Sequence, residues 1–221
     1  MALNGTGAIC IWNDITDEGR AEFYAWHLTE HMPERAAVPG FTRSRRFIAT
    51  GPETQPEFFT LYETADPSVQ TSAAYLARLN APTDWTRRAT QAFRNTSRAL
   101  TTVLASHGPG AGGVLATLRF AVKPGHEDAA IAALATAVLA VAGQPRIAAA
   151  HLCRTNEDAS ASRTAESRER SDILSAPSWV VMVEACDEAA ARAGMAALLS
   201  AGAGYWAGDR ALGVYRFEYQ C

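Results

Sequence analysis

The sequence predicts an α+β protein made by duplicating one β-α-β-β-α-β unit. Three observations carry this. The stretch His-Gly-Pro-Gly-Ala-Gly-Gly at 107–113 divides the 221 residues almost in half, and clustered glycine and proline mark a connection rather than an element. On either side of it, β-branched runs and helix-period runs follow one another in the same order. Short matches also recur in that order. Val38-Pro39-Gly40-Phe41 and Gln144-Pro145-Arg146-Ile147 follow the first helix of each half, and Glu63-x-x-Asp66 and Glu184-x-x-Asp187 end the third strand. Arg98-Ala99-Leu100 and Arg210-Ala211-Leu212 open the fourth. This is the ferredoxin-like order, repeated. It places one unit at 1–106, a linker at 107–113 and a second unit at 114–221.

The elements follow in turn. Residues 8–13 are apolar and β-branched between Gly7 and Asp14, so they form the first strand. Asp17 caps a helix over 18–38. Pro33 kinks it near Met32, because proline donates no amide and crowds the preceding turn. Strands follow at 41–49 and 58–64, helices at 68–80 and 85–93, and a strand at 97–105. The second half has strands at 114–122, 146–154, 179–185 and 212–219, with helices at 127–142 and 188–200. One insertion breaks the symmetry: 155–178, rich in Ser, Ala, Arg and Glu, stands against the short loop 50–57. That composition favours a mobile segment. A lid over a pocket is the lesser alternative.

Composition narrows the function. With 48% hydrophobic and 19% charged residues the chain is an ordinary globular one. The longest apolar run, 129–143, is too short to span a bilayer, and the first residues lack a basic stretch followed by an apolar core. The expectation is a cytoplasmic protein with no membrane partner. Net charge is −3 and the densest basic patch is only Arg43, Arg45 and Arg46, so no nucleic-acid footprint is present. Cys10, Cys153, Cys186 and Cys221 form no CxxC pair, which fits buried free thiols in a reducing compartment. Lys123, the only lysine, sits before Pro124-Gly125 and is poorly placed for a Schiff base. Gly108-Pro109-Gly110-Ala111-Gly112-Gly113 has the Gly-x-Gly-x-x-Gly spacing but precedes a strand instead of linking strand to helix, and no Walker or Gly-x-Ser-x-Gly motif occurs, which argues against nucleotide binding and a serine hydrolase.

The informative stretch is the polar first helix. Tyr24, Leu28, His31, Arg35 and Val38 recur at spacings of four, three, four and three, the stripe of a sheet-facing helix. Phe23 and Trp26 then fall on the other side, as a patch that would seek a second copy of the chain. A buried polar group without a partner costs about 1–3 kcal/mol. His31 is therefore either a core histidine satisfied by a neighbour or a group facing a cavity, where it suits proton transfer. Arg35 on the same stripe, and Ala137 at the corresponding place in the second half, favour the cavity. Trp12 and Asn13 end the first strand on opposite faces, so at most one meets the helix. With Tyr62 on the third strand they join Arg35, Tyr24 and Leu28 as binding candidates. His27 and His31 stand four apart, as metal ligands can, but no third ligand is evident and Leu28 replaces the glutamate of a hydrolytic zinc helix. No metal or other cofactor is expected.

Trp26-x-x-x-Glu30-His31-x-Pro33-Glu34-Arg35, then Val38-Pro39-Gly40-Phe41 and Arg45-Arg46-Phe47, resembles the EthD-like proteins of the dimeric α/β-barrel superfamily. The resemblance implies two ferredoxin-like units whose antiparallel sheets pair into a barrel within one chain, with a cleft between sheet and helices. His31 matches the helix histidine of that family. The implied activity is that of a cofactor-free isomerase, cyclase or monooxygenase acting on a small apolar carbonyl compound or lactone. His31 would move the proton, with Arg35 or Asn13 steadying an enolate-like oxygen. A non-catalytic ligand-binding or auxiliary protein is the alternative, and a haem-binding or haem-degrading protein a further one. The second half lacks the motif, which points to one site per chain.

Overall fold

The computed structural model describes residues 2–168 and 172–221, so the part of the 155–178 expectation that falls on 169–171 lies outside the described residues. The first half supplies strands β1 (Gly7–Ile15), β2 (Phe41–Ala49), β3 (Phe58–Thr64) and β4 (Phe93–His107). The second supplies β5 (Val114–Val122), β6 (Ile147–Thr155), β7 (Trp179–Ala185) and β8 (Trp206–Gln220). They close a barrel in the order β1-β3-β2-β8-β5-β7-β6-β4. Every ladder is antiparallel, and the halves meet along β2–β8 and β4–β6. The fold is therefore a dimeric α/β-barrel built within one chain from two tandem ferredoxin-like repeats. Among the described residues, closure leaves no strand edge of the barrel open for pairing with another chain.

The seam accounts for two boundaries that the sequence places differently. β4 and β8 run for 15 residues each, against the shorter 97–105 and 212–219 expected. Each must pair within its own sheet and also across to the other half: β4 with β1 and β6, β8 with β5 and β2. The expected helix at 85–93 gives up its end to this strand. It stops at Ala89, a 3-10 turn covers Thr90–Ala92, and Phe93 opens β4.

Strand alternation sorts side chains into two cores. Ala8, Cys10, Trp12, Phe59, Leu61, Val180, Met182 and Tyr215 fill the barrel interior. The other faces are covered by helices. In the second half α5 (Glu127–Ala142) and α8 (Glu188–Ala201) pack Leu134, Val138, Met195 and Leu198 against Phe120, Trp179, Val181 and Val183. The first half uses shorter pieces: α1 (Arg20–Trp26), α2 (Met32–Ala36), α3 (Ala73–Asn80) and α4 (Asp84–Ala89). Between β6 and β7 stand α6 (Glu157–Ala161) and α7 (Ala165–Arg168), so part of the segment read as mobile is helical. Among the described residues no helix is long and apolar enough to cross a membrane. Cys10 and Cys153 are buried, and burial pushes the Cys153 thiol up to about 12. Cys186 and Cys221 are exposed, contrary to expectation, because one lies in the turn before α8 and the other ends the chain.

The repeated Glu-x-x-Asp has a physical meaning in both halves. Asp66 and Asp187 cap the following helical turns, accepting from Ser68 N at 2.8 Å and Ala190 N at 3.0 Å. Glu63 and Glu184 point into the barrel, where both are fully buried. Arg45 lies between them: Nη2 donates to Glu63 Oε1 at 2.9 Å, and Nη1 to Glu184 Oε2 at 2.6 Å. Arg43 Nε donates to Glu63 at 2.6 Å, and the backbone amides of Asn4 and Gly112 complete the two carboxylates. His151 Nε2 stands 3.2 Å from Glu184 Oε1, and its Nδ1 stands 3.0 Å from Ser106 Oγ. Burial works to raise the Glu184 pKa, but the His151 and Arg45 contacts hold it well below the usual carboxylate range.

Removing one member of such a network strands the others. Glu184→Ala is expected to cost about 3–5 kcal/mol in urea unfolding. A carboxylate whose folded pKa is depressed stabilises the fold above its unfolded pKa of about 4.3 and loses that contribution as pH falls below it. Urea midpoints measured between pH 7 and pH 3 should therefore fall less steeply for Glu184→Gln than for the native protein. Equal slopes would contradict this assignment.

Candidate functional site

A cavity of about 40 Å³ lies between the first-half helices and the sheet. β1 contributes Asn13, β3 contributes Tyr62 and β4 contributes Arg98. The polar helix contributes His27, His31 and Arg35, α3 contributes Tyr75 and Leu79, and the insertion contributes Thr164, Glu166 and Ser167.

The helix reaches this arrangement by departing from the expected stripe. Residues His27–His31 form a π-helical turn, closed by the Met32 amide on the His27 carbonyl. A π turn accommodates one more residue than an α turn and so rotates the residues after it. Phe23 and Trp26 before the turn are buried together with His27 and His31 within it and Met32 and Arg35 after it, while Leu28 is 40% exposed. This corrects two expectations. Leu28 does not face the cavity, and Phe23 and Trp26 are interior groups rather than a patch awaiting a second chain. Pro33 lies five residues after Leu28 and has no amide proton for its carbonyl. The Tyr219 hydroxyl donates to that carbonyl instead, at 3.4 Å.

The same packing orients the histidines. Trp26 Nε1 donates to Thr86 Oγ1 at 3.1 Å, and its ring lies 4.3 Å from the His31 ring. The His27 and His31 rings stack with centroids 5.3 Å apart. Stacked rings do not converge on one ion, and no group of three metal-ligating side chains is found among the described residues. Arg46 Nη1 stands 3.2 Å from His27 Nδ1. An arginine can only donate, so that nitrogen accepts and the His27 proton sits on Nε2. Arg46 is held in turn by Glu218 at 3.0 Å, which also accepts from the Tyr24 hydroxyl at 3.1 Å. Tyr24 therefore supports the site from outside the cavity.

Of the expected binding residues, Asn13, Arg35 and Tyr62 meet His31 at the cavity. Trp12 does not. It points into the barrel, where Nε1 donates to Thr117 Oγ1 at 3.3 Å and the ring packs on Phe59. Glu166, Arg98 and Tyr75 were not anticipated; only the insertion itself signalled that something covers this face. Arg35 is fully buried and its Nη2 donates to Glu166 Oε2. Burial works against the Arg35 charge, and Glu166 together with Tyr75, Tyr62 and Glu34 more than offsets it. On this wall the Tyr62 hydroxyl has no hydrogen-bond partner among the described residues, and Arg35 Nη1 has the Glu34 carboxylate at 3.7 Å without a hydrogen bond. Burial pushes the Tyr62 phenol far above its ordinary range, so it remains a protonated donor.

No protein-family model matches the sequence, and no curated protein matches it. Solved structures do. The chain is similar to an anthrone oxidase-like protein with a TM-score of 0.65 and 13% identity, covering 99% of this chain and 93% of that one. It is similar to a candidate monooxygenase from Lactobacillus acidophilus (TM-score 0.59, 10% identity, 98% and 96% covered). It is also similar to a haem-binding protein from Thermus thermophilus (TM-score 0.53, 10% identity, 98% and 92% covered). At these identities the likeness is one of fold, and it extends over nearly the whole chain.

A buried hydroxyl without a partner does not stabilise the protein. Tyr62→Phe should leave the urea midpoint unchanged or raise stability by up to about 1 kcal/mol. A loss of more than about 1.5 kcal/mol would mean that the hydroxyl is satisfied within the fold.

Proposed function

We propose that the chain is a small-molecule enzyme that enolises a carbonyl compound, with His31 moving the proton and with no cofactor. The observation that carries this is the pairing of a stacked, buried histidine with a charged guanidinium, Arg35, and a donor without a partner among the described residues, the Tyr62 hydroxyl, on one cavity wall. Proton removal beside a carbonyl puts negative charge on oxygen. Donors already fixed in place stabilise that charge without reorganising. Tyr62, held protonated, and Arg35, held charged, suit an enolate oxygen. Asn13 is placed to add a polar contact. The apolar remainder of the wall, with Tyr75 and Leu79, suits a small ring or lactone. Isomerisation, ring closure and oxygen insertion can each begin from such an enolate, and the EthD-like resemblance of residues 26–47 supports that class.

Haem fits this site poorly. His31 forms one ring cluster with Trp26 and His27, with centroids 4.3 and 5.3 Å from its own, rather than standing alone over an open slot as an axial ligand would.

The test is solvent exchange. In D₂O the protein should accelerate deuterium uptake at the acidic carbon of anthrone or 2-tetralone, read by NMR. His31→Ala should lower that rate by about 100-fold or more, the scale of a positioned acid–base group. Unchanged exchange in His31→Ala would sink the proton-transfer role. Binding of either probe without any exchange would favour the ligand-binding alternative.

A further inference from the structure

We infer that the substrate of this cavity carries a carboxylate beside its carbonyl group, and that Glu166 holds the place which that carboxylate takes on Arg35. The inference rests on the proposed use of the cavity as the reaction site.

Size comes first. A space of about 40 Å³ holds little more than water. Beside it, a groove of about 490 Å³ runs between β4 and the insertion, and the two spaces share Arg98 and Ser167. A carbonyl compound reaches His31 only if α7 moves toward solvent and the two spaces merge.

The hold on α7 is narrow. Among the described residues, α6 buries no side chain and α7 buries only Glu166. Its backbone is tied by Ala165 N donating to Asn80 Oδ1 at 3.0 Å, and by bonds between Thr164 and Ser167. Elements with so little buried surface open at low cost. With Thr164 beside it, the chief described anchor of α7 is thus a carboxylate inserted against a buried arginine.

Charge then selects the ligand. Withdrawing Glu166 leaves the Arg35 guanidinium buried with Glu34 Oε2 at 3.7 Å as the remaining carboxylate contact. A neutral ligand would leave that charge poorly paired, whereas a carboxylate restores what Glu166 supplied. Arg98, on the same wall, adds a second guanidinium. Geometry narrows the class further. Nη2 meets the carboxylate, Nη1 faces Glu34, and the Tyr62 hydroxyl on the same wall stays available for a neighbouring oxygen. A forked guanidinium recognises two adjacent oxygens better than a point charge does.

Benzoate and its neutral isostere benzamide provide the test, by calorimetric titration of the folded protein. Glu166→Gln should bind benzoate about tenfold more tightly than the native chain, the scale of one charged hydrogen bond. Benzamide affinity should change less than about twofold, and adding Arg35→Met should remove the benzoate preference. In the native chain, benzoate but not benzamide should speed amide exchange across 157–168, a readout that needs no substitution. Equal gains for both probes, or no gain for benzoate, would overturn the inference while leaving His31 as the proton carrier. Loss of the His31 effect on carbonyl exchange, with the benzoate preference intact, would overturn the reaction and not the anion site.

Discussion

Arg45 bridging Glu63 and Glu184 is the contact on which the two halves agree. One carboxylate comes from each third strand, and the cation between them comes from β2, a seam strand. Burying three charges is expensive unless each is paired and hydrogen-bonded. Here the pairing requires both sheets at the same register, so a slipped seam would leave charge stranded inside the barrel. The two ladders show how the copies diverged while keeping this arrangement. Arg43 lies opposite Glu63, and Ala149 lies opposite Glu184. Two residues further on stand Arg45 in one half and His151 in the other, both turned toward the same network.

The space between helices and sheet has gone the other way. In the second half α5 and α8 fill it with aliphatic side chains, and Ala137 stands where the first copy has His31. In the first half a π turn, a proline and short helices fill it incompletely, with aromatic and charged groups. The first copy thus combines weaker apolar packing with a polar wall, and the cavity is where the packing stops. In the function proposed above, the second copy serves as a scaffold for the first.

Much of the fold was legible because it rests on local patterns. Alternation located the strands, and the Gly-Pro linker and the Glu-x-x-Asp repeats exposed the duplication. Other features depend on contacts that no local pattern encodes. The 15-residue seam strands became visible only once each had two partners. Arg98 and Arg210 share an Arg-Ala-Leu context, yet Arg98 pairs opposite Ile11 while Arg210 falls at the irregularity in the β5–β8 ladder. At the candidate site, His31 and Arg35 were placed on one face by residue type and spacing and do line the cavity, whereas alternation left open which of Trp12 and Asn13 would reach it. Leu28 and Trp26 were misplaced because a 3.6-residue period was carried through a turn that does not keep it. Glu166 was out of reach, since it lies 131 positions from Arg35 and its segment has the composition of a loop.

The stretch His-Gly-Pro-Gly-Ala-Gly-Gly looks like mere spacing, yet it changes how the barrel responds to its surroundings. A barrel assembled from two separate chains comes apart on dilution. Here the linker holds the halves at an effective concentration on the order of millimolar whatever the amount of protein in solution. Gly112 within it also donates to Glu184 at 2.9 Å, so the tether ends on the buried charges themselves. Joined in this way, the two copies need not be alike, and scarcity cannot separate them.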